Sequence, residues 1–172
     1  MNENDADILS IIDTLPDPAD SPEGRRTAKD LIRRWFTTVR AKDLQGLLAL
    51  MSPDVVIELP FNESGRTEEG GFRRYCGLDE VRGFWEAAFR AEGKSDGQTN
   101  AEMTLSSDGR IAFLESRGNL TMASGKSYRN RYVFRFVTEN GKLVHVREYY
   151  NPITSAYAFG RPIAGKYLID AL

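Results

Sequence analysis

The chain has very little of the chemistry that most cofactor and metal sites are built from: among 172 residues there is one cysteine and one histidine. The lone Cys76 excludes an internal disulfide and a thiolate cluster for zinc. The lone His145 excludes a cage of imidazoles, and no acidic groups are seen to converge on a carboxylate-only site, so no metal is expected. Charge of one sign is also missing. Against 25 acidic residues stand 23 basic ones, for a formal net charge of -2, which leaves no global positive field to gather phosphates and argues against nucleic acid. No apolar run approaches the roughly 20 residues that cross a bilayer, so no membrane partner is expected. The start, MNENDADILS, lacks the basic stretch and apolar core of a secretory signal. No glycine-rich loop follows a strand and opens a helix, so nucleotides drop away and no cofactor is expected. A cytoplasmic protein with a single core remains.

What is present reads as helices first and strands afterwards. Residues 1–24, with an apolar patch from Ile8 to Leu15 and a breaker-rich linker from Pro16 to Glu23, read as a flexible N-terminal arm. From Thr27, apolar residues at helical spacing predict two helices bent near Lys42-Asp43, the second closed by Ser52-Pro53-Asp54. DVVIELPF predicts a strand, NESGRTEEGGFRRYCG an irregular loop, and LDEVRGFWEAAFRA a helix whose apolar stripe includes Trp85 and which Gly93 ends. The rest predicts four β-rich segments joined by Ser-Asp-Gly, Ala-Ser-Gly and Glu-Asn-Gly turns. The fold class that follows is α+β, a cone-shaped curved antiparallel sheet wrapped around N-terminal helices, over a domain at 25–155. Such a cone can enclose a small-molecule pocket. Residues 156–172 read as a C-terminal extension carrying Tyr157, Phe159, Tyr167 and Leu168, packed on the body or on a dimer partner.

Acidic residues on apolar faces are the candidates for chemistry. In GKLVHVREYYNP, period-two counting puts Val144, Val146, Glu148 and Tyr150 on one face and Leu143, His145, Arg147 and Tyr149 on the other. If the first face points into the cone, burial raises the pKa of Glu148 and makes it a general acid or base; otherwise it is a salt bridge at the mouth. Glu58, preceding Leu59-Pro60, either approaches the rim or lies on the surface. Glu115, Arg117 and Asn119 share one face, either as a pocket network or as the wet side of a sheet. Asn130, Tyr132, Phe134 and Phe136 form the more apolar face of their strand, where Asn130 and Tyr132 can polarise a carbonyl or enolate oxygen, or serve structure alone. The catalytic candidates are therefore Glu148, Tyr132 and Asn130; the candidates for substrate binding are Glu58, Trp85, Glu115, Arg117, Phe134, Val146 and Tyr150. His145 lies in the opposite phase from Glu148 and reads as a surface histidine.

The helical start, the DVVIELPF strand, the GLDEVRGFWEAAF helix and above all YRNRYVFRFVTENGKLVHVREYYNP resemble the nuclear transport factor 2-like superfamily in its SnoaL-like, ketosteroid-isomerase-like branch. The closing segment also resembles the phenazine biosynthesis A/B proteins. The resemblance implies a homodimer whose cavity takes a hydrophobic or polycyclic small molecule without a cofactor, and proton-transfer chemistry in secondary-metabolite biosynthesis. It also implies that Glu148 matches the acid/base glutamate of the phenazine proteins, whose pocket histidine has no counterpart here. Three functions stay open: a cofactor-independent isomerase, cyclase or dehydratase with Glu148 as proton shuttle, a phenazine-like condensation catalyst, and a non-catalytic binding protein of the same fold.

Overall fold

A computed structural model describes residues 8–66, 68 and 70–163. Of the two terminal segments, residues 1–7 and 164–172, with Tyr167 and Leu168, lie outside the described residues. The N-terminal arm contributes helix α1 (Ile8–Thr14), none of whose residues is buried. Helix α2 (Pro22–Ala41) starts five residues before the expected Thr27, inside the expected linker. The reason is local: the Ser21 hydroxyl accepts the Gly24 N–H, Pro22 fills the first turn and Glu23 sits at the positive end of the helix dipole. Lys42, in a left-handed conformation, closes α2, and the Asp43 carboxylate caps α3 (Leu44–Leu48).

Seven strands form one sheet: β1 (Met51–Leu59), β2 (Arg73–Cys76), β3 (Glu92–Leu105), β4 (Ile111–Met122), β5 (Ser127–Tyr128), β6 (Arg131–Glu139) and β7 (Lys142–Tyr150). The order is β2-β1-β7-β6-β4-β3, with β5 beside β4, and every pairing is antiparallel except β1 with β7. Ser52-Pro53-Asp54 belongs to β1 and does not close a helix; the ladder to β7 is irregular between Met51 and Val56, where a proline without an N–H is tolerated. Helix α4 (Gly77–Ala91) leads straight into β3, so the strand begins at Glu92 and not after Gly93. A helix that was not expected, α5 (Pro152–Phe159), follows β7, capped by the Asn151 side chain.

The concave face of the sheet packs on α2, α3 and α4. Ile57, Phe136, Leu143 and Val146 from the sheet meet Trp35 and Leu47 from the helices, each of them almost completely buried. Trp35 stands edge-on to Trp85 at 5.4 Å and to Phe136 at 5.6 Å, which locks the two long helices onto the sheet. One register detail departs from simple alternation. Val137 pairs with His145 and Thr138 with Leu143, so Val144 is the extra residue of a bulge and Leu143, not Val144, shares the inner face with Val146.

Candidate active site

Beyond the packed end of the cone the inner face opens into a cavity of about 710 Å³, a size typical of small-molecule sites. Strand β7 crosses from one region to the other. Val146 belongs to the core, Glu148 to the cavity wall, and Tyr150 to the rim, where its hydroxyl accepts a hydrogen bond of 2.9 Å from Arg73. A hydrophobic face therefore carries a carboxylate because the strand outruns the core.

Glu148 keeps a little surface open to the cavity but has protein on every side. Burial pushes its carboxyl up to about 7, the charge of Glu92 pushes in the same direction, and Arg73 opposes both. Glu92 lines the same cavity and is likewise pushed up to about 7 by burial, with Lys42 pulling the other way. These two carboxyls repel when both are charged, which adds to the effect of burial in keeping Glu148 protonated. Sequence reasoning missed Glu92, having assigned it to the end of a helix. A signal was there, since a carboxylate at a helix C-terminus faces the negative end of the dipole and is misplaced for a purely helical role.

The aromatic wall includes Phe36, Phe84, Trp85, Phe134 and Phe159, and the phenols Tyr128 and Tyr132 stand beside Glu148 in the same lining as Tyr75 and Tyr150. Burial raises the pKa of both phenols, most strongly for Tyr132, so each keeps its proton and can donate it to an oxygen. Glu148, Tyr132, Trp85, Phe134 and Tyr150 are thus brought together around one space.

The other sequence candidates lie elsewhere. Asn130 is 1 % exposed and precedes β6. Its amide nitrogen donates to the Tyr128 hydroxyl and the Asn151 carbonyl, and its amide oxygen accepts from the backbone N–H groups of Arg131 and Asn151. All four of its hydrogen-bonding positions are used, so it steadies Tyr128 and has nothing left to offer a ligand. Val146 is 1 % exposed and packs in the core below the cavity. Glu115 and Arg117 are exposed on the outer face of β4, beside a shallow groove with Phe61 and Tyr149.

Glu58 is also on the outer face, because the inner phase of β1 belongs to Val55, Ile57 and Leu59. It is nevertheless buried, among charges: Arg147 at 2.7 Å, His145 at 2.9 Å and Arg74 at 3.3 Å. Burial acts to raise its pKa, but hydrogen bonds from Arg147 and His145 outweigh that and hold it below the ordinary carboxylate value. His145 is half-buried, not a surface residue. Burial depresses its pKa further than Glu58 restores it, so at neutral pH the imidazole is uncharged and the nitrogen facing Glu58 carries the proton. The missed signal was register: Glu58 pairs with Arg147 on one side and Arg74 on the other, and cross-strand neighbours are not visible along one strand.

Among the described residues no group of three or more His, Cys, Asp or Glu side chains is placed to hold a metal, and no helix is long and apolar enough to cross a membrane.

A curled sheet closed by helices around an acid-bearing aromatic cavity defines a recognisable class of small α+β proteins. The SnoaL-like domain matches residues 32–146, most of the chain, and the protein belongs to that family. Solved structures agree on the fold. A Bacillus subtilis protein proposed to be an isomerase superposes with a TM-score of 0.71 at 21% identity, covering 83% of this chain and 99% of its own. A Xanthomonas campestris protein proposed to be a polyketide cyclase gives 0.64 at 17% identity over 80% and 99% of the two chains. A phenazine biosynthesis-related protein of Pseudomonas aeruginosa gives 0.65 at 17% identity over 90% and 94%. No curated protein matches the sequence.

Proposed function

We propose that the protein is a cofactor-independent acid/base enzyme, an isomerase, cyclase or dehydratase acting on a hydrophobic biosynthetic intermediate, with Glu148 as the proton shuttle. The observation that carries this reading is a carboxyl held near neutrality inside an aromatic cavity that also presents two protonated phenols. In the ionised form Glu148 takes a proton from a carbon next to a carbonyl, and the electron pair left behind moves onto the carbonyl oxygen. Tyr128 donates a hydrogen bond to that developing enolate, and Tyr132 donates to the Tyr128 oxygen behind it. Glu148, now a neutral acid, returns the proton to another carbon of the enolate for isomerisation. In dehydration it gives the proton to a departing hydroxyl, which leaves as water. The charge of Glu92 helps to hold Glu148 near pH 7, where both of its forms are accessible. The families of the fold neighbours support the reaction class, and a cytoplasmic homodimer is the setting we propose for it.

The test is deuterium exchange at the acidic carbons of a panel of cyclohexenones and polyketide-like aromatic ketones, followed by NMR in D₂O, with binding measured in parallel. The wild type is expected to exchange at least one ligand and Glu148→Gln to bind it without exchange. Ligands bound by both proteins and exchanged by neither would assign the fold to a binding role.

A further inference from the structure

The rim of the cavity has a polarity opposite to its depth. Arg73, on the inner phase of β2, and Arg161, just past α5, both line the cavity, and between them stands one carboxylate, Glu63. Glu63 Oε2 accepts from Arg73 at 2.5 Å, and Oε1 accepts from Arg161 at 3.1 Å and from the Ser155 hydroxyl at 3.4 Å. Burial acts to raise the Glu63 pKa, but its backbone hydrogen bond and the two guanidiniums outweigh it, so the group is an anion. Two cations against one anion leave a surplus positive charge. Glu63 itself is not among the residues that line the cavity, whereas Arg73, Arg161, Tyr150 and Ser155 are. Besides Glu92 and Glu148, two other charged residues touch the same space: Arg74 pairs with Glu58, and Glu80, in the first turn of α4, accepts the Cys76 N–H.

Tying the 60–72 loop to the sheet takes one arginine. The Arg161 guanidinium also stacks 4.4 Å over the Phe159 ring, and the Arg73 nitrogen that meets Glu63 also donates to the Tyr150 hydroxyl. Each guanidinium has five N–H donors and meets Glu63 through a single nitrogen, so both keep donors that match a further carboxylate. The depth, by contrast, holds Glu92 and Glu148 and repels an anion. We propose that Arg73 and Arg161 form a carboxylate subsite at the rim, so that the substrate is an organic acid. Its ring system lies inward against Trp85 and Phe134, and its carboxylate points outward. This rests on the cavity being the substrate site and names the class of that substrate; it also fixes which end of the molecule meets Glu148.

The experiment is calorimetric titration of the full chain with 2-naphthoate and with 2-naphthamide, two probes of one shape that differ in charge. The wild type is expected to bind the acid at least tenfold more tightly than the amide. Arg161→Gln and Arg73→Gln are expected to cut that preference to threefold or less while leaving the amide affinity within a factor of about two, and Glu148→Gln, which removes a repelling charge, is expected to keep or raise it. Arg161 is the more exposed of the two, so its variant carries the test if Arg73→Gln does not fold. Equal affinity for both probes, no binding of the acid, or a preference that survives both arginine substitutions overturns the proposal. Proton exchange that depends on Glu148 without a preference for acids refutes this subsite alone; a preference for acids without exchange refutes the catalytic reading alone.

Discussion

Glu148→Gln removes a charge from a place that resists it, and the consequence for stability depends on pH. The folded carboxyl titrates at about 7 against an ordinary value of 4.5. At about 1.36 kcal/mol per pKa unit that difference corresponds to at most about 3–4 kcal/mol, and water reaching the cavity side reduces it to about 2–3 kcal/mol. The group's folded pKa is raised, so its contribution is intact below pH 4.5 and is lost as pH rises through 7. Glutamine carries no charge at any pH. Wild type and variant should therefore melt together at pH 4, separate between pH 5 and 7, and differ fully at pH 8 with the variant the more stable. For a chain of this size the gap corresponds to about 4–12 °C in Tm. Glu92, Arg73 and the phenols of Tyr128, Tyr132 and Tyr150 face the same space. Removing the Glu148 charge also relieves Glu92, which works in the same direction. Glu58, Glu63 and Asp108 have lowered pKa values and lose stabilisation as pH falls, but they do so in both proteins and cancel in the difference. Thermal melts at pH 4, 6 and 8 provide the assay. A gap independent of pH, or a variant less stable at pH 8, would refute the reasoning.

Asn130→Ala strips partners from the Tyr128 hydroxyl and from three backbone groups at once. It should cost about 2–4 kcal/mol of unfolding free energy in a denaturant titration. Gly118→Ala places a methyl 2.8 Å from Cε2 of Tyr132. It should cost about 1–3 kcal/mol through overpacking and should weaken ligand binding by shifting the phenol, read by melting and calorimetry together.

Much of this architecture is legible in the chain because period and turn chemistry point the same way. The inner row Tyr132, Phe134 and Phe136 alternates without interruption, and the Asn140-Gly141 turn after Glu139 fixes the β6–β7 hairpin. Glu148 was found through the same alternation. The two-residue count from Val146 to Glu148 to Tyr150 survives, since the bulge at Val144 lies upstream of it. What the chain does not announce is contact across strands. Glu58 reads as a rim acid until Arg74 and Arg147 are placed on either side of it, and Asn130 reads as a donor to ligands until Asn151 is brought against it. Glu92 was lost because the helix α4 pattern runs without a break into β3, with the stop signal Gly93 one residue too late.

Carboxyl titration by carbon-detected NMR, with every glutamate labelled at its side-chain carboxyl, reads the poised acid directly. The account predicts two glutamates titrating near pH 7, one of them lost in Glu148→Gln and the other in Glu92→Gln. If every glutamate titrated below pH 5, Glu148 would be an ordinary ionised carboxylate and could not serve as the shuttle.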